Sequence, residues 1–362
     1  MLNYVARALL LSCVAAVFSF PAHSQEQPAE TPPDAIEKEA AKQIEKSPYD
    51  TFISLSYEND LIGDGEDKYY TNGVRATYFN VNSEVPMFIE DAAQALPGFE
   101  INATTSTFYT VGQNLFTPSE IDQRIPDNND RPYAAWLYGS VGLATLTDNH
   151  MDEVELTLGV VGPEALGEQT QKFVHRHITD SPIPKGWNTQ LDFEPGVVLS
   201  WQRRWPRGIG GDWHVDFGDT FRLRAEPSVN VSLGNIYTHA GTGLMLTFGP
   251  YQDTLQDTPP RVKPAMSGTG YFDTPEDSNW NWYLFGGVDG RAVARNIFLD
   301  GNSFDSDSPS VDKNVFVGDA VAGIAFTLYD YRLSYTANYR TKEFEDQPED
   351  SFFGSITLTT RF

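Results

Sequence analysis

The sequence predicts an all-β fold, a transmembrane antiparallel β-barrel of about twelve strands with a short helix in an extracellular loop. Three observations lead there. From Tyr49 onward, segments of alternating apolar and polar residues are separated by clusters of Gly, Asn, Asp and Pro. The chain carries 7 Trp, 17 Tyr and 23 Phe, yet its 50 Asp+Glu outnumber its 25 Lys+Arg. Barrel strands reconcile the two, because one face is apolar and the other polar. The chain also ends on Ser355-Ile356-Thr357-Leu358-Thr359-Thr360-Arg361-Phe362, a strand alternation closing on an aromatic residue. The formal charge of -25 argues against a nucleic-acid partner, since nothing neutralises a phosphate backbone over a broad face.

Residues 1–24 read as a secretory signal peptide. Arg7 precedes an apolar stretch, Ala8–Phe20, and Ala22-His23-Ser24 has the small-x-small form of a cleavage site. Cys13 lies within this segment, so the mature chain has neither a disulfide nor a thiolate nucleophile. Residues 25–49, rich in Glu, Pro, Gln and Lys, read as a mobile tail with a short helix over Asp34–Lys46. Residues 50–362 form one barrel domain.

Strands are predicted near 51–60, 70–81, 105–114, 133–145, 153–161, 190–203, 213–225, 227–248 with an internal break, 280–295, 313–327, 331–342 and 353–362. The clearest is Glu153–Val161, where Val154, Leu156, Leu158 and Val160 alternate with Glu153, Glu155, Thr157 and Gly159. On its own this strand suits a barrel wall and equally a soluble sheet with one wet face. Trp201, Trp205, Trp213, Trp280, Trp282 and Tyr283 lie near strand ends, where amphipathic rings meet a bilayer interface. The acidic stretches Asp253–Asp277, Asp300–Asp312 and Lys342–Asp350 read as loops.

With the mature N-terminus on the periplasmic side, the connections after strands one, three and five face outward, and these hold the unusual chemistry. In the first strand Ser54, Ser56, Glu58 and Asp60 share the polar side, which points Asp60 into the barrel at its outer rim. Asn59 falls on the opposite parity and needs a bulge to re-aim it if it takes part. In the second strand Thr71, Arg75 and Thr77 share the polar side. The connection after the fifth strand is helical in texture. Gln171 and His175 stand one turn apart on it, and His177 lies on another face and reads as structural. A histidine base, a carboxylate for a cation and polar positioners are the elements of a hydrolytic site. Each alone has a plainer reading: a turn aspartate, a strand threonine, a surface histidine.

Tyr57-Glu58-Asn59-Asp60, Tyr69-Tyr70-Thr71-Asn72-Gly73, Asp130-Arg131-Pro132-Tyr133-Ala134, Gly162-Pro163 with Gln171 and His175, Gly186-Trp187, and Ala294-Arg295-Asn296-Ile297-Phe298-Leu299-Asp300-Gly301 follow in this order. The set resembles the outer-membrane lipid A 3'-O-deacylase family over roughly residues 50–362. The resemblance implies an esterase that remodels lipopolysaccharide, with a site between the barrel wall and an extracellular loop helix, and dependence on Ca2+. On matching positions it implies His175 as general base, Asp60 as a metal-associated carboxylate, and Asn59, Thr71 and Gln171 as supporting polar groups. Where the family can carry a lysine after the third strand, this chain has Gln123 and Arg124. The C-terminal strand is similar to those of bacterial outer-membrane barrels, which implies recognition of Phe362 by the barrel assembly machinery. Arg131, Lys172, Arg176 and Lys185 fall in predicted outer loops and are candidates to meet lipid A phosphates.

Two other readings stand beside this one. An outer-membrane phospholipase-type acyl hydrolase would use a His-x-Ser pair, and Gly241 occupies the serine position after His239. A porin or structural barrel would need no catalytic residues. No Gly-x-Ser-x-Gly elbow is present, which disfavours a serine nucleophile of the hydrolase type.

Overall fold

The computed structural model describes residues 35–62, 69–83, 85, 93, 99–147, 149–179, 181–250, 257–262, 268–274 and 278–362. The predicted signal peptide, 1–24, and the first part of the tail lie outside the described residues. The strands are β1 (Thr51–Asn59), β2 (Tyr69–Asn80), β3 (Ser106–Thr117), β4 (Ala134–Thr147), β5 (His150–Val161), β6 (Glu194–Arg204), β7 (His214–Phe217), β8 (Phe221–Gly234), β9 (Tyr237–Pro250), β10 (Trp280–Asn296), β11 (Phe316–Leu328), β12 (Tyr331–Arg340) and β13 (Ser351–Arg361). Neighbours pair antiparallel, β1 pairs β13, and β6 pairs β8 across the short β7. A closed barrel of twelve strands results, with β7 as an extra strand on the edge of β8.

The segments predicted at 213–225 and 227–248 divide differently. Gly218, at φ 63°, turns the chain after β7, and β8 then runs unbroken through Pro227. The break predicted within 227–248 falls at Asn235, whose side chain donates to the Pro195 carbonyl and to Glu194 and accepts from the Val197 amide. These bonds fix the turn into β9.

Strand parity gives the wall its two faces. Outward residues such as Ile53, Leu55, Tyr109, Val111, Leu156, Leu158, Leu284, Leu333 and Leu358 are exposed, while inward Ser54, Ser56, Glu58, Arg75, Thr77, Thr110 and Thr157 are buried. Burying such an aliphatic side chain is worth about 1.5–3 kcal/mol. A wall that exposes so many is stable only against lipid, as in transmembrane barrels.

The interior is filled. The connection between β9 and β10 enters the lumen: Ser56 Oγ donates to the Pro260 carbonyl (2.8 Å), Arg75 to that of Arg261 (3.2 Å), and the Val262 amide to Glu58 Oε1 (3.1 Å). Nearer the rim where β1 begins and β13 ends, Arg332 donates to the carbonyls of Asp257 and Gly270 (both 2.9 Å), and Arg204 pairs with Asp257 at 2.6 Å. Toward the opposite, distal rim, Phe116, Trp136, Tyr138, Tyr237, Phe298 and Phe353 pack with Val262 into one cluster reaching across the barrel. Helix α1 (Ala35–Lys46) docks at the terminal rim. Ala40 packs with Leu146, and Gln43 Nε2 donates to Tyr271 Oη and Asp273 Oδ2 (3.1 Å each).

Candidate active site

At the distal rim the outward face changes character. Asn59 of β1 stands opposite Asn72 of β2, Asn72 opposite Leu115 of β3, and Leu115 opposite Ala135 of β4. By parity this row continues the lipid-facing side of Leu55 and Val111, yet all four residues are buried. The connection after β5 covers one end of it. That connection runs through a turn of 3₁₀ helix (Pro163–Ala165), α2 (Gly167–Val174), a π-helical turn (His175–Thr179) and a second 3₁₀ turn (Trp187–Thr189).

Packing holds this strap against the wall. Leu115, Tyr133, Ala135, Ala165 and Trp187 form one apolar cluster, with Leu137 and Val160 at its margin. Gln113 Nε2 donates to the Ala165 carbonyl at 2.6 Å. Only a glycine fits at the start of α2: a Cβ on Gly167 would lie 2.5 Å from both Ala135 Cβ and Trp187 Cη2. Leu166, at φ 60°, sets the helix direction at a cost its packing must offset.

The other end of the row is closed by the chain after β1. The alternation predicts Asp60 pointing into the lumen, but β1 ends at Asn59 and Asp60 opens a 3₁₀ turn, Asp60–Ile62. This turn leans over the outer face of β13. Gly354 stands opposite Asn59, and a Cβ there would meet Ile62 Cγ2 at 2.4 Å. Asp60, the first residue of this turn, is buried. No bulge re-aims Asn59, whose register with β2 and β13 is regular. The irregularity lies one strand over: pairing of β2 with β3 shifts between Tyr70 and Asn72, leaving Thr71 as the extra residue. The Thr71 side chain lies outside the described residues.

On the strap, Gln171 and His175 are buried (1% and 3% exposed), whereas Phe173, Arg176 and His177 are exposed. Phe173 and His177 form a ring pair of their own at 5.0 Å. His175 Nδ1 lies 2.6 Å from the Pro182 carbonyl. A carbonyl only accepts, so Nδ1 carries the proton and Nε2 holds the lone pair a general base needs. Trp187 Nε1 donates to Gln171 Oε1 at 2.7 Å. The Asn72 side chain donates from Nδ2 to Tyr57 Oη at 3.1 Å, and its buried Oδ1 has no hydrogen-bond partner among the described residues. Asn72 is the site residue that alternation did not single out, because its outward parity reads as lipid-facing.

Oxygen donors on this row suit a hard cation. Asn72 Oδ1 and the Asn59 amide could give neutral oxygens, and Asp60, next in the chain and buried, a carboxylate. Among the described residues no group of three or more His, Cys, Asp or Glu forms a metal cage, so further ligands would come from backbone, water or substrate.

The predicted anion-binding set divides. Arg131 lies in the connection after β3, as expected, but is fully buried there: it stacks 4.7 Å over the inward Phe116 ring and pairs with Glu343 at 3.3 Å. Lys172 is partly exposed and pairs with Glu168 one helical turn away. Arg176 and Lys185 are exposed, and the Lys185 amide anchors the strap to the Ile121 carbonyl. Gln123 and Arg124 are exposed in the connection after β3. His239 is buried on the inward face of β9, with its ring 6.4 Å from Tyr237.

The family model described as Outer membrane protein LpxR matches residues 9–362. Among solved structures, LpxR from Salmonella typhimurium aligns with a TM-score of 0.67 at 19% identity, covering 86% of this chain and 100% of that one. The β domain of the Bordetella autotransporter BrkA reaches 0.39 at 9% identity, covering 87% and 100%. The COG4313 outer membrane channel from Pseudomonas putida F1 reaches 0.38 at 9% identity, covering 93% and 100%. No curated protein matches the chain.

Proposed function

The chain belongs to the LpxR family of outer membrane proteins, and from that premise we propose that it is an esterase removing the 3'-acyloxyacyl group from lipid A in the outer leaflet. One observation carries the reading: Gln171 and His175 are buried on the strap that packs over the outward row, and Asn59 and Asn72, outward by register, are buried polar residues of that same row, with the buried Asp60 next in the chain. Polar side chains held there meet a membrane lipid, not a solute passing through the lumen.

The chemistry follows from the residues. Nε2 of His175 takes a proton from water as the water oxygen attacks the ester carbonyl, and returns it to the departing alkoxide. A positioned base of this kind contributes on the order of 10²–10⁴ in rate. Asp60, with Asn59 and Asn72, would hold Ca2+, which when bound draws charge from the ester carbonyl. Lys172, Arg176 and Lys185 stand on the strap or its return, within the part of the molecule that lipid A phosphates would reach. Phe362, exposed at the end of β13, is the proposed signal for the assembly machinery.

A phospholipase-type hydrolase working through a His-x-Ser pair is disfavoured by Gly241, two residues after His239. The aromatic cluster across the lumen weighs against a porin. Lipid A extracted from cells with and without the protein tests the reading by mass spectrometry. Loss of one acyloxyacyl mass supports it; intact lipid A with hydrolysed phospholipid supports the alternative.

A further inference from the structure

Gly186-Trp187 is a motif without a role in the chemistry above, and its surroundings suggest one. Trp187 is 1% exposed, packed between the ring of Tyr133 (centroids 5.1 Å apart) and Gly167 at the start of α2. Packing alone would be met by any large aromatic residue. The indole nitrogen, however, donates to Gln171 Oε1 at 2.7 Å, and an indole can only donate. That fixes the amide: oxygen toward Trp187, and the NH2 group turned away from it. Gln171 Nε2 is then a buried donor with no hydrogen-bond partner among the described residues. Leaving such a donor unsatisfied costs about 1–3 kcal/mol. It stands one helical turn before His175, on the same buried side of the strap.

We infer that Trp187 is a positioning residue which locks the Gln171 amide so that its N–H donates to the ester carbonyl oxygen as negative charge develops there. The inference rests on the esterase reading and adds to it a side-chain donor and the residue that aims it. A donor fixed before the reaction needs no reorganisation when charge appears, which is where such groups gain their effect.

The test is a double-mutant cycle on the purified full-length barrel in detergent with Ca2+ and lipid A, reading kcat and KM separately. Gln171→Met should lower kcat by about 10²–10³-fold with little change in KM. Trp187→Phe keeps the aromatic packing and loses the N–H, and should lower kcat by roughly tenfold or more. The double variant should be no slower than Gln171→Met alone, because Trp187 acts only through that amide. Multiplying losses, or full kcat in Trp187→Phe, would overturn the assignment. If heat-modifiable gel mobility shows Trp187→Phe unfolded, Gln171→Glu decides: it keeps an oxygen for the indole and removes the N–H donor. Loss of kcat there supports the inference, and retained kcat overturns it. A wild-type protein that leaves lipid A intact overturns the esterase reading and this assignment together, whereas an active wild type with an additive cycle overturns the assignment alone.

Discussion

Asn59 and Asn72 show what a single position can and cannot reveal in sequence. Both have the parity of lipid-facing residues, and an asparagine facing lipid is costly unless something covers it. The covering residues, Ile62 and the α2 strap, come from connections whose placement no alternation encodes. His175 and Gln171 were legible as a one-turn pair on a helix, and the tautomer of His175 became clear only with Pro182 beside it. At this scale, Asp60→Asn should raise the Ca2+ concentration for half-maximal hydrolysis by roughly tenfold or more, since the site holds one formal charge. Chelation by EGTA should abolish wild-type hydrolysis and added Ca2+ restore it. Calcium titration of lipid A release checks both, and activity persisting in EGTA would remove the cation from the scheme.

At the scale of elements, the strands follow the sequence closely because period-two alternation is written into the wall; Glu153–Val161 lies within β5 with Leu156 and Leu158 outward. The α1 segment and the lumen insertion were less legible, since polar, proline-rich stretches look like loops whether or not a barrel interior accepts them. The α2 strap depends on close approach. Gly167→Ala would force its Cβ to within 2.5 Å of Ala135 and Trp187, so the helix must lift, at about 1–3 kcal/mol for overpacking. The expected result is a sharp fall in lipid A hydrolysis with barrel folding intact, seen by comparing activity with heat-modifiable mobility.

The whole molecule is a barrel turned inside out relative to a soluble protein, with a polar interior closed by its own chain. Two predictions belong here. Val111, exposed on the outer wall of β3, should tolerate leucine; Val111→Arg should destabilise the barrel by about 2–4 kcal/mol, measured by denaturant unfolding in lipid vesicles. The lumen insertion is pinned at Asp257. Burial pushes its carboxyl up, but Arg204 and the hydroxyl and amide of Thr269 outweigh this and hold it below the usual carboxylate range. A depressed carboxyl stabilises fully above its unfolded value, about 3.9, and the contribution is lost as pH falls toward the folded value. Hydrogen exchange over 257–262 and 268–274 should therefore accelerate below about pH 4, and Asp257→Asn should flatten that dependence.

The central claim is that this wall-mounted site cleaves lipid A through His175. Mass spectrometry of lipid A from outer membranes carrying the wild-type chain or His175→Ala, at matched amounts of folded barrel, tests it most directly. The expected result is loss of one ester-linked acyloxyacyl group with the wild type and intact lipid A with His175→Ala. Intact lipid A in both, or cleavage in both, would contradict it.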